Sequence, residues 1–393
     1  MPPPYITFPQ LNFMIKKRGV SYQKTKTVVQ GLTDFHNTEI STNPNENGAW
    51  TMRTMAISYH SSGSGTFLVG HSNYNGSTFS ASKIWKTTNN GQTWARMQEL
   101  PVRLIQSVRN FGPTGTTAIA TTGGNSGHAD IYRSTSSNIG SSWNLQYNSS
   151  HVSIYDNGTG ITGTKMVVGG GYTQNTGGML RWTIDTGFSW NDQNPTSTGY
   201  TRVVSPTYAG INGGSEVWLA LAHTGSTTNY ELIMSNQTLD TTTNATWGNS
   251  WALSPNQPFA NVQQRLEWVG GNTVLSFSYT DPIQIRVTSD YYANVTVGQT
   301  LPVGLNNVRK LINFGSGQLW ILCHGAVEGT GVIYESTDSG STWNINNPIQ
   351  SFPDMATPFD MTLNTATGSV YVIGNYISTH STNANRALLY EIS

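Results

Sequence analysis

An eight-residue pattern returns along this chain at an interval of about 48 residues, and recurrence on that scale marks a repeat architecture. Ser336-Thr337-Asp338-Ser339-Gly340-Ser341-Thr342-Trp343 reads S-x-D-x-G-x-T-W. Thr183 to Trp190 repeats it with Asp185, Gly187, Ser189 and Trp190 in register. Thr87 to Trp94 has Asn89 in the Asp place, with Gly91 and Trp94, and Ser136 to Trp143 has Asn138, Gly140 and Trp143. The interval matches one four-stranded propeller blade.

Each copy follows a short apolar strand: Ile84-Trp85, Ile131-Tyr132, Leu180 to Trp182 and Val332 to Tyr334. Leu232 to Met234, Ile285 to Val287 and Leu388 to Tyr390 look equivalent, so seven repeats are legible. The Ile285 strand leads into a worn copy that keeps Thr288 and Asp290 but has Val295 in the Trp place. After Leu232 the register is open between Trp247 and Trp251. Further runs such as Phe67 to Val69, Val217 to Leu221 and Val370 to Ile373 are rich in β-branched and aromatic residues and bounded by Gly, Ser, Asn and Thr, which reads as strands. The expected fold is all-β: a seven-bladed β-propeller of four-stranded antiparallel blades over residues 19–393, preceded by an arm over 1–18. The last repeat runs out at Ser393, and Val20 to Val29 has the composition to supply its missing strand and cover an open sheet edge. The polar stretch Thr38 to Asn47 reads as a linker.

The corner itself has a physical logic. Gly187 and Gly340 accept a positive φ without a Cβ clash. The Asp or Asn side chain takes hydrogen bonds from nearby N–H groups and pins the turn, and the Trp starts the outer strand and buries its ring between blades. This role is structural. Asp185 and Asp338 sit at a repeated place, whereas a single active site needs unlike groups converging.

These residues resemble the Asp-box, or BNR, repeat of sialidase-like propellers, over about two-thirds of the chain. The resemblance implies the fold and leaves the activity open, since such propellers include sialidases, xyloglucan-degrading hydrolases, sorting-receptor ectodomains, photosystem assembly factors and phage particle proteins. Sialidases of this kind carry a Phe/Tyr-Arg-Ile-Pro motif, which is missing here; Tyr5-Ile6-Thr7-Phe8-Pro9 lacks the Arg.

Charged residues make up only 10% of the 393, with 20 basic and 20 acidic, so nothing favours nucleic acid or an anionic membrane as partner. Cys323, the single cysteine, lies in the apolar run Leu319 to Cys323 and reads as a small core hydrophobe. No stretch is long enough to span a membrane. The start, Met1-Pro2-Pro3-Pro4-Tyr5, shows no secretory pattern.

Candidate binding residues come in two sets. Arg53, Arg109, Arg202, Arg265 and Arg309 recur near expected inner strands, where a guanidinium can hold a carboxylate. His71, His223 and His324 each end an apolar strand, which places them on one rim, alongside Tyr172 and Tyr279. A glycosidase needs two carboxylates about 5–10 Å apart. Glu267, Asp354 and Asp360 lie near inner-strand starts, and spacing singles out no pair. No metal or cofactor is expected. The reading is a non-enzymatic binding or structural module of a bacteriophage particle, as a tail, neck or vertex appendage. Its arm would dock to other virion proteins, and its outer face would meet a host-surface glycan. A carbohydrate-active hydrolase of the same fold is the alternative, and a cytoplasmic or photosynthetic assembly scaffold the third.

Overall fold

The apolar runs become strands because alternate side chains enter the two gaps that flank each sheet. The computed structural model describes residues 26–28, 51–60, 65–74, 82–100, 104–111, 117–123, 129–135, 139–149, 152–153, 160–172, 178–193, 200–223, 230–254, 263–278, 280–291, 294–376 and 387–393. The expected arm over 1–18 and the linker at Thr38 to Asn47 lie outside them.

Five sheets have four antiparallel strands. The first is Thr51–His60, Thr66–Tyr74, Ser82–Thr87 and Ala95–Leu100. The second is Leu104–Phe111, Thr117–Gly123, Ala129–Thr135 and Asn144–Ser149. Two more run Gln263–Gly270, Thr273–Ser278, Gln284–Thr288, Thr296–Thr300 and Asn307–Gly315, Gln318–His324, Gly331–Ser336, Gln350–Phe352. The last pairs Met355–Leu363, Val370–Tyr376 and Ala387–Ile392, and Lys26–Val28 completes it from the other end of the chain. Lys26 lies opposite Ile392 and Val28 opposite Tyr390, so the N-terminal strand closes the ring and covers the edge of the last strand.

The sixth sheet has nine strands. Its halves are Lys165–Tyr172, Gly178–Thr183 and Asn191–Gln193, with Val152–Ser153 and Gly160–Thr162 on the first of these, and Arg202–Asn212, Ser215–His223, Tyr230–Ser235 and Ala252–Leu253. One register pair, Gly171 with Arg202, joins the halves. A Cβ on Gly171 would stand 2.3 Å from the Cβ of Arg202, so glycine permits the approach. Division at that pair makes seven units among the described residues.

The apolar core is distributed to match. Among the described residues it forms seven clusters, each shared by two consecutive units. Leu68 faces one gap with Ile105 and Val108, while its neighbours Phe67 and Val69 face the other with Tyr371 and Ile373. Each fully buried side chain of this kind contributes about 2 kcal/mol against the entropy of ordering the chain. Cys323 lies in such a gap, and burial pushes its thiol up. Innermost strands lie side by side, and Thr51–His60 touches both Leu104–Phe111 and Met355–Leu363. The chain is a β-propeller.

The repeated corners join the third and outer strands. Gly91, Gly187 and Gly340 take φ of 84°, 83° and 89°. At the last, Asp338 Oδ1 accepts from Thr342 N at 2.8 Å and Ser336 Oγ at 2.8 Å, and its Oδ2 accepts from Thr342 Oγ1 at 2.7 Å. Ser336 Oγ accepts from Gly340 N at 2.8 Å, and the Trp343 indole donates to Gly340 O at 3.1 Å. Asp185 repeats this with Thr183, Ser189 and Trp190, and Asn89 with Thr87, Thr93 and Trp94. Trp94, Trp143, Trp190 and Trp343 each enter the gap toward the preceding unit.

Two corners differ from their sequence. Asn138 lies outside the described residues, and the hydroxyl that accepts from Gly140 N at 2.9 Å belongs to Ser134, two residues upstream of the Ser136 that the pattern marks. That corner is longer, although Trp143 still donates to Gly140 O at 3.0 Å. After Tyr230–Ser235 a long excursion carries a 3-10 turn, Trp247–Ser250, before the outer strand starts at Ala252. The Trp247 and Trp251 rings, 5.3 Å apart, both fill the gap, which is why neither position alone matched the pattern.

Candidate functional site

Among the described residues, charged side chains from several sheets meet in the interior of the ring. The innermost strands bring Arg109, Arg265, Glu267, Lys310 and Asp360 from four different sheets. Arg109 Nη1 lies 3.2 Å from Asp360 Oδ2, although the sheet beginning at Thr51 separates theirs. Strands that are not neighbours in the ring meet only inside it. The same Asp360 oxygen accepts from Ile57 N at 3.1 Å, and Oδ1 accepts from Met361 N at 3.0 Å. Asp360 is 5% exposed, and these donors replace the water it gave up.

Arg265 forms an ion pair with Glu267 two residues along its own strand, and its Nη1 donates to Arg309 O at 2.6 Å. Among the described residues, both carboxylates of this group, Asp360 and Glu267, are therefore held by guanidinium groups. Lys310 stands among these charges. Burial lowers its ammonium to about 8, Arg109 adds to the shift and Asp360 opposes it.

The candidates from the sequence fall into place unequally. Arg53, Arg109, Arg202, Arg265 and Arg309 all lie on innermost strands. The Arg53 side chain is outside the described residues. Arg202 donates to the Tyr230 hydroxyl at 2.6 Å. Arg309 Nε donates to His324 Nε2 at 2.8 Å, while His324 Nδ1 donates to Gly325 O at 2.7 Å. Burial first, then the Arg309 charge, lowers His324 to about 4, so its ring is neutral near pH 7. His71 Nδ1 accepts from the Trp85 indole at 2.9 Å, and His223 Nδ1 lies 2.7 Å from Thr201 Oγ1. The three histidines belong to three sheets, and each is tied to its own neighbours. Among the described residues no three His, Cys, Asp or Glu side chains gather as a metal group would require. Tyr172 and Tyr279 have side chains outside the described residues. Asp354 accepts from the Tyr390 hydroxyl rather than joining the interior.

Lys310 escaped the reading of the sequence. It has no repeated counterpart, and its neighbours come from strands far along the chain. The one local signal is the doublet Arg309-Lys310 near the start of an inner strand, where the register shifts between Val308 and Lys310.

No protein-family model matches this chain. No curated protein matches it either. Solved structures do. It is similar to the BP39L lectin from Burkholderia pseudomallei, with 12% identity, 87% of this chain and 95% of that one covered, and a TM-score of 0.55. It is similar to YCF48 bound to D1 peptide, with 13% identity, 94% and 97% covered, and a TM-score of 0.50. An α-L-arabinanase from Penicillium chrysogenum gives 11% identity, 88% and 96% covered, and 0.47. At such identity a likeness speaks to the fold alone, and the fold is the propeller that the sheets already describe. Among the described residues no helix is long and apolar enough to cross a membrane.

Proposed function

We propose that this propeller is a non-enzymatic binding module whose ligand class is a glycan. One observation carries the reading. Among the described residues, both carboxylates of the ring interior are held by guanidinium groups, and Asp360 takes two backbone N–H groups as well. A glycosidase needs one carboxyl free to give a proton and a second to attack or to activate water. Here each serves as a counter-ion. Breaking either pair would leave a guanidinium with its partner lost, at a cost of about 3 kcal/mol. We read the repeated corners as the Asp-box repeat. We place the module on a virus particle on account of its low charge and its Gly, Ser, Thr and Asn surface, with the N-terminal arm as the part that docks to other particle proteins.

Binding to an array of polysaccharides and oligosaccharides, with a reducing-sugar assay on every glycan retained, tests the function. Retention without release is expected. Release of sugar by the purified chain would overturn the non-enzymatic reading. Mass spectrometry of purified particles tests the setting, and absence of the chain from them would sink it.

A further inference from the structure

The interior group holds three cations, Arg109, Arg265 and Lys310, and two carboxylates, Asp360 and Glu267. Arg109 is spent on Asp360, and Arg265 on Glu267 and the Arg309 carbonyl. No described residue accepts a hydrogen bond from the Lys310 ammonium or forms an ion pair with it. Its nearest charged company includes both guanidinium groups. His324, the neighbouring titratable ring, is neutral and already donates to Gly325 O. Lys310 is thus an ammonium on a half-buried residue, three donors strong, with charges of both signs near it and no acceptor among the described residues. Three donors without a protein acceptor suit an anion, which takes charge-assisted hydrogen bonds from an ammonium.

We infer that the ring interior at Lys310 is a binding site for a small oxyanion: one carboxylate, sulfate or phosphate group, free or carried on a larger molecule. Lys310 supplies the direct contact. Arg109 and Arg265 supply positive potential while keeping their own carboxylates. With three cations against two carboxylates, the group keeps a net positive charge when all are ionised. The inference goes beyond the glycan reading and does not depend on it, because a free ion satisfies the site.

Titration calorimetry of the full chain with acetate, inorganic phosphate, glucuronate and glucose tests it. At least one oxyanion is expected to bind, and glucose, which lacks the charge, is not expected to match it. Acetate binding as well as glucuronate means that the charged group alone is read. Glucuronate binding alone among the four means that the group is read on an acidic sugar. Lys310→Met keeps the aliphatic stem and should weaken the affinity about tenfold or more. Should that variant not fold, the Lys310 Nζ nitrogen resonance of the unaltered protein is followed as the oxyanion is added, and a saturable shift is expected. Failure of every oxyanion to bind, glucose binding equally well, equal binding by Lys310→Met, or an unmoved Nζ resonance at saturation would each overturn the site. A negative glycan array beside a positive titration would remove the glycan reading and leave the site standing.

Discussion

At the corner from Ser336 to Trp343, Asp338 is held by donors from within the same eight residues. In the ring interior Asp360 is held by Arg109, 251 residues away, and by Ile57 N, 303 residues away. The two carboxylates do similar work, since each accepts several hydrogen bonds. They differ in who supplies the donors. The corner folds on local information and can be copied from unit to unit. The interior exists only after the ring closes, and it has no copy. Structure therefore repeats at the corners, and individuality, with any ligand chemistry, collects on the axis.

If this contrast is right, the largest effect belongs to the interior. Arg109→Met should destabilise the chain by about 3 kcal/mol, because it strands a buried carboxylate. Denaturant unfolding measures it, and replacing Asp360 by Asn in the same chain should recover part of the loss. A change below 1 kcal/mol in the single variant would mean that Ile57 N and Met361 N suffice.

Gly340→Val comes next, at about 2–3 kcal/mol. Its backbone has φ 89°, and a Cβ there would stand 2.6 Å from Leu275 Cδ1 of the preceding unit. The same measurement checks it, and the loss of near-ultraviolet signal from Trp343 should track it.

Asp338→Ala should cost about 1–2 kcal/mol, for the loss of three accepted hydrogen bonds. Asp338→Asn should cost less than about 0.5 kcal/mol, since Asn89 holds the first corner with the same geometry. A large loss in the Asn variant would show that the charge, not the acceptor, pins the turn.

The smallest effect is acid sensitivity. Burial pushes Asp185 up, but hydrogen bonds from Ser189, Thr183 and Phe188 outweigh it and hold the carboxyl below its usual value, and Asp338 behaves likewise through Thr342 and Ser336. A depressed folded value means that the stabilisation is complete above the unfolded carboxyl value near 4 and is lost as pH falls through the folded one. Thermal midpoints between pH 5 and pH 2 should therefore fall less steeply in the Asp185→Asn, Asp338→Asn double variant than in the parent.

Legibility followed the same division. The corners at Asn89, Asp185 and Asp338 could be read directly, because the residues that make them are consecutive. The worn corner keeps its function too: Asp290 still accepts from Thr288 Oγ1 at 2.8 Å and Asn294 N at 2.8 Å, with Val295 where the ring would be. The corner after Ser235 could not be read, because its long excursion moves Trp247 and Trp251 out of register with the pattern. Nor did the extra residues between Ser134 and Gly140 show, since Ser136 happens to complete the eight-letter match. Inner-strand arginines were recognisable by their recurrence. Which of them meet was not: Arg202 goes to Tyr230, Arg309 to His324, and Arg109 to Asp360.

The order of residues was enough to establish a ring of small antiparallel sheets and a closing N-terminal strand. The first follows from recurring apolar runs and from turns whose hydrogen bonds span four residues or fewer, the second from the strand-like composition of Val20 to Val29. Spacing along the chain carries no record of the angle at which each sheet stands about the axis. That angle places Lys310 among two guanidinium groups and two carboxylates, with no acceptor among the described residues, and it arises only when the gaps between the sheets fill with side chains at once.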